Sequence, residues 1–355
     1  MSRRSTRILK AALHTLYYSG ADGLVAPFTR GEGVIFMLHR VTPEPVRDFE
    51  PNRILKITPD FLEQVICQVI EAGFEILRID EIPGRLADVR SGRPFACFTL
   101  DDGYRDNLEH ALPVFRRHGV PFTVYVPTEY ADGTGELWWL LLERVIELSS
   151  TVTIAIHGAS RQFSTDTVAG KDKAYQEIYW WLRSISEAEA RAIVNRLAAD
   201  AGVDGAALCR GLMMNWDEVR TLAADPLATI GAHTCRHMAL AKLGSEIARE
   251  EMRQSILRIE AEIGRPCRHF SYPYGCETSA GEREFEMAEK LGVATAVTTR
   301  KGLVDSSHAG RLTALPRFSL NGDFQDTRFV KVMLSGAPFR LWHALGRVAG
   351  PVAVN

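Results

Sequence analysis

From residue 34 onward, short apolar runs alternate with stretches in which apolar residues return every three or four positions. The runs 34–38, 75–79, 95–100, 122–126, 228–232, 269–272 and 293–298 have the length and bounds of buried strands. Between the first two, Thr58-Pro59-Asp60 precedes Phe61, Leu62, Val65, Ile66, Val69 and Ile70, and Gly73 follows. A capping threonine, a proline at the first helical position, one apolar face and a glycine stop predict a helix, which completes a βαβ unit. The stretches 106–118, 245–263 and 281–291, each followed by glycine, repeat the pattern. Strands that alternate with helices in this way predict a parallel α/β fold, either a barrel or a doubly wound sheet. The alternation breaks once, between about 131 and 214. That stretch carries Trp138, Trp139, Trp180 and Trp181, a hairpin pattern over 152–163 turning at His157-Gly158, and helical patterns over 171–183 and 187–201. It predicts a largely helical insertion between two strands.

Charge changes the picture at the ends. The 42 basic and 44 acidic residues nearly balance at −2, which excludes a uniformly basic nucleic-acid binder and an acidic disordered chain. Yet residues 1–21 hold Arg3, Arg4, Arg7 and Lys10 with no acid, and residues 328–355 hold Arg328, Lys331, Arg340 and Arg347 with none. Ile8, Leu9, Ala12, Leu13, Leu16 and Tyr17 form an apolar stripe in a basic segment 1–30. Phe339, Trp342, Leu345 and Val348 suggest another in the tail 328–355. Such helices either pack on the body of the protein or lie on an anionic membrane surface. The basic start is interrupted by His14, Thr15, Ser19 and Asp22 before any apolar run of signal-peptide length, and no run of 18 apolar residues occurs. Six scattered cysteines, Cys67, Cys97, Cys209, Cys235, Cys267 and Cys276, form no CxxC pair and read as free thiols. Together these features predict a cytoplasmic protein. Nothing in the sequence sets an oligomeric state.

Three strand ends carry chemistry. Phe98-Thr99-Leu100-Asp101-Asp102-Gly103 puts two carboxylates where a parallel strand ends, the face on which such folds build active sites. Adjacent carboxylates repel unless a cation or shared proton relieves them; alone, the motif also reads as a capped strand-to-helix turn. His233-Thr234-Cys235-Arg236-His237 follows the strand 228–232, and histidines at i and i+4 can reach one zinc ion. One carboxylate with two imidazoles leaves a coordination position open for water. His269-Phe270-Ser271-Tyr272-Pro273-Tyr274-Gly275 ends a third strand, in a rigid loop able to turn a backbone N–H toward the site.

These motifs, in this order, resemble the polysaccharide deacetylases of the NodB-homology type, carbohydrate esterase family 4, over roughly residues 31–320. The resemblance implies a distorted (β/α) barrel over 31–327, with Asp101 as catalytic base and Asp102, His233 and His237 as metal ligands. It also implies that the backbone N–H of Tyr274 holds the oxyanion. The cofactor is then a divalent metal: zinc suits the ligands, and cobalt or nickel fits them too. The implied substrate is an N-acetylated glycan built on N-acetylglucosamine. A small cyclic amide is the second reading, and a carbohydrate-binding protein that has lost catalysis is the third.

Two departures from the family pattern stand out. The late Leu-x-His motif that supplies a general acid is replaced by Ala314-Leu315-Pro316-Arg317-Phe318, while His39, in Met37-Leu38-His39-Arg40-Val41, resembles the acid of members whose histidine comes from a permuted N-terminal strand. The arginine that tethers the catalytic aspartate is missing before Tyr272. Arg317 is a candidate replacement, although an arginine beside a proline also reads as a surface residue. His110, His118 and His157 lack strand-end placement and read as structural, and His308 becomes the acid only if His39 does not. Trp138 and Trp139, adjacent on a helix, point two ways, so at most one lines a groove.

Overall fold

The computed structural model describes residues 3–88 and 92–340. Eight parallel strands organise it: β1 (Gly33–Leu38), β2 (Glu75–Ile76), β3 (Phe95–Leu100), β4 (Phe122–Val126), β5 (Ala228–Ala232), β6 (His269–Ser271), β7 (Thr295–Lys301) and β8 (Leu315–Ser319). They are ordered β1-β8-β7-β6-β5-β4-β3-β2, and β1 also pairs with β3 from Gly33↔Phe95 to Leu38↔Leu100. That pairing closes seven strands into a barrel and leaves β2 outside the ring, against the start of β3. Helices surround the barrel, so both faces of its strands are buried, which explains why they read as continuous apolar runs.

Most local signals hold. Thr58 Oγ1 accepts from the Phe61 N–H at 3.1 Å and Pro59 opens the Pro59–Glu71 helix. The hairpin Thr151–Ile156 and Ala159–Ser164 turns at His157 and Gly158, both at positive φ, as a two-residue hairpin turn requires. The 106–118 stretch is split into a π-turn, Asn107–Ala111, and the helix Leu112–His118; Pro113, without an N–H, cannot continue the ladder. The 75–79 strand shortens to β2 because a 3₁₀ turn begins at Ile79. The strand that the apolar pattern hides is β8. Pro316 argues against a strand interior, and it is tolerated where the β7–β8 register shifts, between Val297↔Leu315 and Lys301↔Arg317.

The stretch after β4 has a core of its own. Leu141, Leu142, Val145, Ile154, Ile156, Tyr175, Ile178 and Val194 bring together the helices Trp138–Leu148, Val168–Ser184 and Glu187–Asp200 and the hairpin. Its far end is stitched to the barrel by a bridge between Tyr104 and Met213 and by the Met214 N–H on the Gly103 carbonyl at 3.1 Å.

At the ends, the Arg3–Ser19 helix packs Leu9, Leu13, Leu16 and Tyr17 against Phe329 and Val332 of the Thr327–Leu334 helix. Ile8 of the same stripe is exposed. Phe339 is buried beside Phe318, whereas Trp342, Leu345 and Val348 lie outside the described residues. All six cysteines are free thiols. Among the described residues no helix is long and apolar enough to cross a membrane.

Candidate active site

Strand alternation delivers the site. Ile35 of β1, Phe95 and Cys97 of β3, Tyr125 of β4, Val297 of β7 and Leu315 of β8 pack together inside the barrel, while their neighbours in sequence pack outward on the helices. The interior is tight: a Cβ on Gly231 would lie 2.5 Å from the Tyr125 ring. Following the inward positions two residues at a time toward the C-terminal ends gives Thr99 and Asp101, Arg317, His233, Ser271 and His39. Asp102 has the opposite parity. It is turned back to the site by a left-handed backbone, φ 75°, that few non-glycine residues adopt. Thr234, His237 and Tyr274 share that conformation, so four of the five described non-glycine residues with positive φ belong to this one site.

Asp101 is buried and held by Arg317, whose Nη1 and Nη2 donate to its two carboxylate oxygens at 2.8 and 2.6 Å. The remaining Arg317 N–H groups reach the Thr298 carbonyl at 2.8 Å and the hydroxyls of Thr99 and Ser271, both at 3.1 Å. All five guanidinium donors are therefore used, at a side chain with no exposed surface. Burial alone pushes the Asp101 carboxyl up, but the guanidinium charge and its bonds outweigh burial and hold it below the ordinary carboxylate range. Arg317 is thus no surface arginine. It occupies the tethering place that the sequence leaves empty before Tyr272.

Asp102, His233 and His237 bring one ligand atom each within 4.8 Å of one another, all buried. The His233 Nδ1–H donates to the Ser271 carbonyl at 2.6 Å, since a carbonyl can only accept, and this leaves the Nε2 lone pair toward Asp102. Burial pushes His237 down to about 4 against the pull of Asp102, so this imidazole is neutral at neutral pH. The Asp102 Oδ1 lies 3.5 Å from His233 Nε2 and 3.3 Å from His237 Nε2 and has no hydrogen-bond partner despite its burial. His237 Nδ1 is likewise buried without a partner, so a carboxylate oxygen that receives no hydrogen bond and the imidazole nitrogens around it leave a polar gap that a cation would satisfy. The donor set fits a divalent metal.

Tyr130, Trp139 and Tyr274 wall in His237, with ring centroids 6.0, 5.0 and 4.8 Å away. Tyr274 is fixed on three sides. The Trp138 Nε1–H donates to its hydroxyl at 2.8 Å, Thr299 Oγ1 donates to its carbonyl at 2.6 Å, and the Arg183 guanidinium lies 3.6 Å from its ring centroid. Its backbone N–H meets no acceptor among the described residues. Trp138 and Trp139, expected to divide between groove and core, are both buried and both reach the site. His39 follows β1, its carbonyl held by Asn107 Nδ2 at 2.8 Å, and its ring is near enough to act electrostatically on both Asp101 and Asp102. His308 is elsewhere. Its Nδ1 accepts from the Asp305 N–H at 3.1 Å, in a segment that pairs with Gly33 at the N-terminal end of β1. His118 is bound to Glu63, and His157 forms the hairpin turn.

A family model described as polysaccharide deacetylase matches residues 88–196 and 196–296, more than half of the chain. The chain belongs to the polysaccharide deacetylase family. Among solved structures it is similar to the Streptococcus pyogenes deacetylase PplD in complex with acetate, with a TM-score of 0.54 and 15% identity over 84% of this chain and 97% of that one. It is similar to IcaB from Ammonifex degensii, with a TM-score of 0.52 and 16% identity over 85% and 97%. For the de-N-acetylase from Aggregatibacter actinomycetemcomitans the TM-score is 0.51, with 11% identity over 84% and 99%. At these identities the likeness is one of fold. The sequence matches none of the curated proteins.

Both His39 and Arg317 of this polysaccharide deacetylase lie outside residues 88–296, His39 just past β1 and Arg317 on β8, the strand that pairs with β1. A second group, the arginines of the insertion, carries no signal in the sequence. Besides Arg183, Arg191 is buried and its Nη2 donates to the carbonyls of Arg236 and His237 at 3.0 and 3.2 Å, gripping the loop that carries the two histidines. Nothing local marks these arginines, because each lies on an ordinary amphipathic helix more than 40 residues from the loop it holds. Arg191 Nη1 meanwhile donates to the Glu136 carbonyl at 3.2 Å, and the single nitrogen of a lysine cannot serve both sides at once. Arg191→Lys is therefore expected to lower affinity for a divalent metal at this site about 10–100-fold, the usual cost of losing an outer-shell partner, as read by competition with a chromophoric chelator.

Proposed function

We propose that the protein is a metal-dependent hydrolase that removes N-acetyl groups from oligo- or polysaccharides containing N-acetylglucosamine. The observation that carries this reading is two neighbouring carboxylates in opposite circumstances: Asp101 with both oxygens bonded to Arg317, and Asp102 with a bare buried oxygen among imidazole nitrogens. Asp102, His233 and His237 would hold the ion, and this ligand set suits zinc, with cobalt or nickel also fitting. A divalent ion bound there supplies Lewis-acid polarisation of an amide carbonyl and a lowered pKa for a water.

The remaining chemistry belongs to the chain. Asp101, kept ionised by Arg317, accepts the proton of the attacking water. The Tyr274 N–H donates to the developing oxyanion, aimed by the left-handed turn and by the three contacts that fix the residue. His39, just past β1 and close to both carboxylates, delivers a proton to the departing amine. Acetate in the PplD complex and the de-N-acetylase among the similar structures support an acetamide as the reacting group.

The test is acetate release across a ladder of N-acetylglucosamine oligomers, with mass detection of the product. Activity is expected to vanish with a chelator and to return with zinc. No acetate from any oligomer, with opening of a cyclic amide instead, would overturn the glycan reading. His39→Ala is expected to keep fold and metal and to lose about 10²–10⁴ in turnover on unactivated acetamides. On a nitrophenyl acetate, whose leaving group needs no proton, it should lose far less. Wild-type turnover by His39→Ala would remove the acid assignment.

A further inference from the structure

The two most exposed large apolar side chains of the described residues sit on one short helix near the N-terminus. In Ala21–Thr29, Leu24 is 78% and Phe28 83% exposed, with Val25 beside them and Ile8 exposed on the preceding helix. Leu24 and Phe28 are four residues apart and so share a face. This is not a loose end. The opposite side of the helix buries Asp22 and Ala26, and the Thr29 hydroxyl donates to the Ser335 carbonyl at 2.5 Å. The neighbouring helix is anchored through Leu13 on Phe329 and Val332. The fold therefore holds two large apolar side chains out in water on a helix anchored through Asp22, Ala26 and Thr29.

Charge decides what covers them. Residues 1–31 contain Arg3, Arg4, Arg7, Lys10 and Arg30 and one acid, Asp22, which is buried. The adjoining residues 327–340 add Arg328, Lys331 and Arg340 and no acid. Arg328 is paired with Asp326, whereas Arg7, Lys331 and Arg340 are exposed. Exposed apolar side chains on a terminal segment with an excess of exposed cations complement a surface that is apolar within and anionic at its boundary. We propose that this face docks on an anionic membrane surface, with Leu24 and Phe28 entering the acyl boundary and the basic side chains meeting the headgroups. Residue 30 leads into β1 at its N-terminal end, so the docking face joins the barrel at the end opposite Asp101.

The test is sedimentation of the full chain with phosphatidylcholine vesicles, with and without phosphatidylglycerol, at low and high salt. Binding is expected only with phosphatidylglycerol and should weaken as salt rises. The double variant Leu24→Glu, Phe28→Glu should lower the partition coefficient at least about tenfold, with circular dichroism and thermal midpoint unchanged. Arg7→Glu, Lys331→Glu should weaken binding as added salt does. No binding at low salt overturns the proposal, as does binding that the double variant leaves intact. Dimerisation abolished by that variant, without vesicle binding, assigns the face to a second copy. Binding that appears only after removal of residues 341–355 assigns it to that segment.

Discussion

Asp101→Asn is expected to leave a protein that takes up zinc while its turnover falls by about 10²–10⁴, the range a positioned base supplies. Asp102→Ala is expected to lose both. The two residues adjoin in sequence, yet the left-handed turn at Asp102 sends them to different duties, one to a guanidinium and one to the imidazoles. His233→Ala and His237→Ala should share the Asp102 phenotype, because a catalytic zinc normally keeps three protein ligands. The asparagine keeps one acceptor for Arg317 and turns the other oxygen into a donor, so a stability loss of a few kcal/mol accompanies it. Zinc content of dialysed protein, thermal midpoint and acetate release, measured together, separate these effects. An active Asp101→Asn, or an Asp102→Ala that retains zinc at wild-type affinity, would refute the assignment of the two carboxylates.

Arg317→Met is expected to cost about 3–5 kcal/mol of stability at neutral pH, because it leaves a buried carboxylate without its charge partner. It should also raise the acidic limb of the pH profile of kcat/KM. In the wild type the guanidinium overrides burial and holds Asp101 below the ordinary carboxylate range. The stability this contributes is present above the unfolded pKa, about 4, and is lost as pH falls through the lower folded value. Without Arg317, burial, the largest influence, is opposed only by the weaker pull of His233 and His39, so the folded carboxyl titrates above its unfolded value. The base then protonates at a pH where the wild type is still ionised, and activity on the acid side is lost earlier. For the same reason the stability gap between variant and wild type should narrow as pH is lowered, since a protonated Asp101 is no longer a buried charge. Denaturant titrations at several pH values beside the kinetic profile test both halves. Superimposable pH profiles for variant and wild type would show that Arg317 does not set the state of Asp101.

The amino-acid sequence by itself determined what depends on near neighbours. The alternation of apolar runs and helical faces, the Thr58 cap, the turn at His157-Gly158 and the strand-end positions of Asp101, His233 and Tyr274 all follow from backbone periodicities of a few residues, so they are written in consecutive positions. Tertiary structure decided what depends on closure. β1 lies between β3 and β8 only because the ring closes, and that pairing carries Arg317 to Asp101, 216 residues away, from a strand disguised by Pro316. The same holds for Trp138, Arg183 and Arg191, whose helices read as ordinary amphipathic elements until the insertion folds back over the two site loops. It holds too for Leu13 and Leu24, both apolar residues of the basic N-terminal segment, of which packing against Phe329 buries one and leaves the other in water. Local patterning fixes which face of an element is apolar, but only the assembled chain settles which charges meet and which apolar faces remain uncovered, because those depend on partners whose distance in sequence carries no periodic signal.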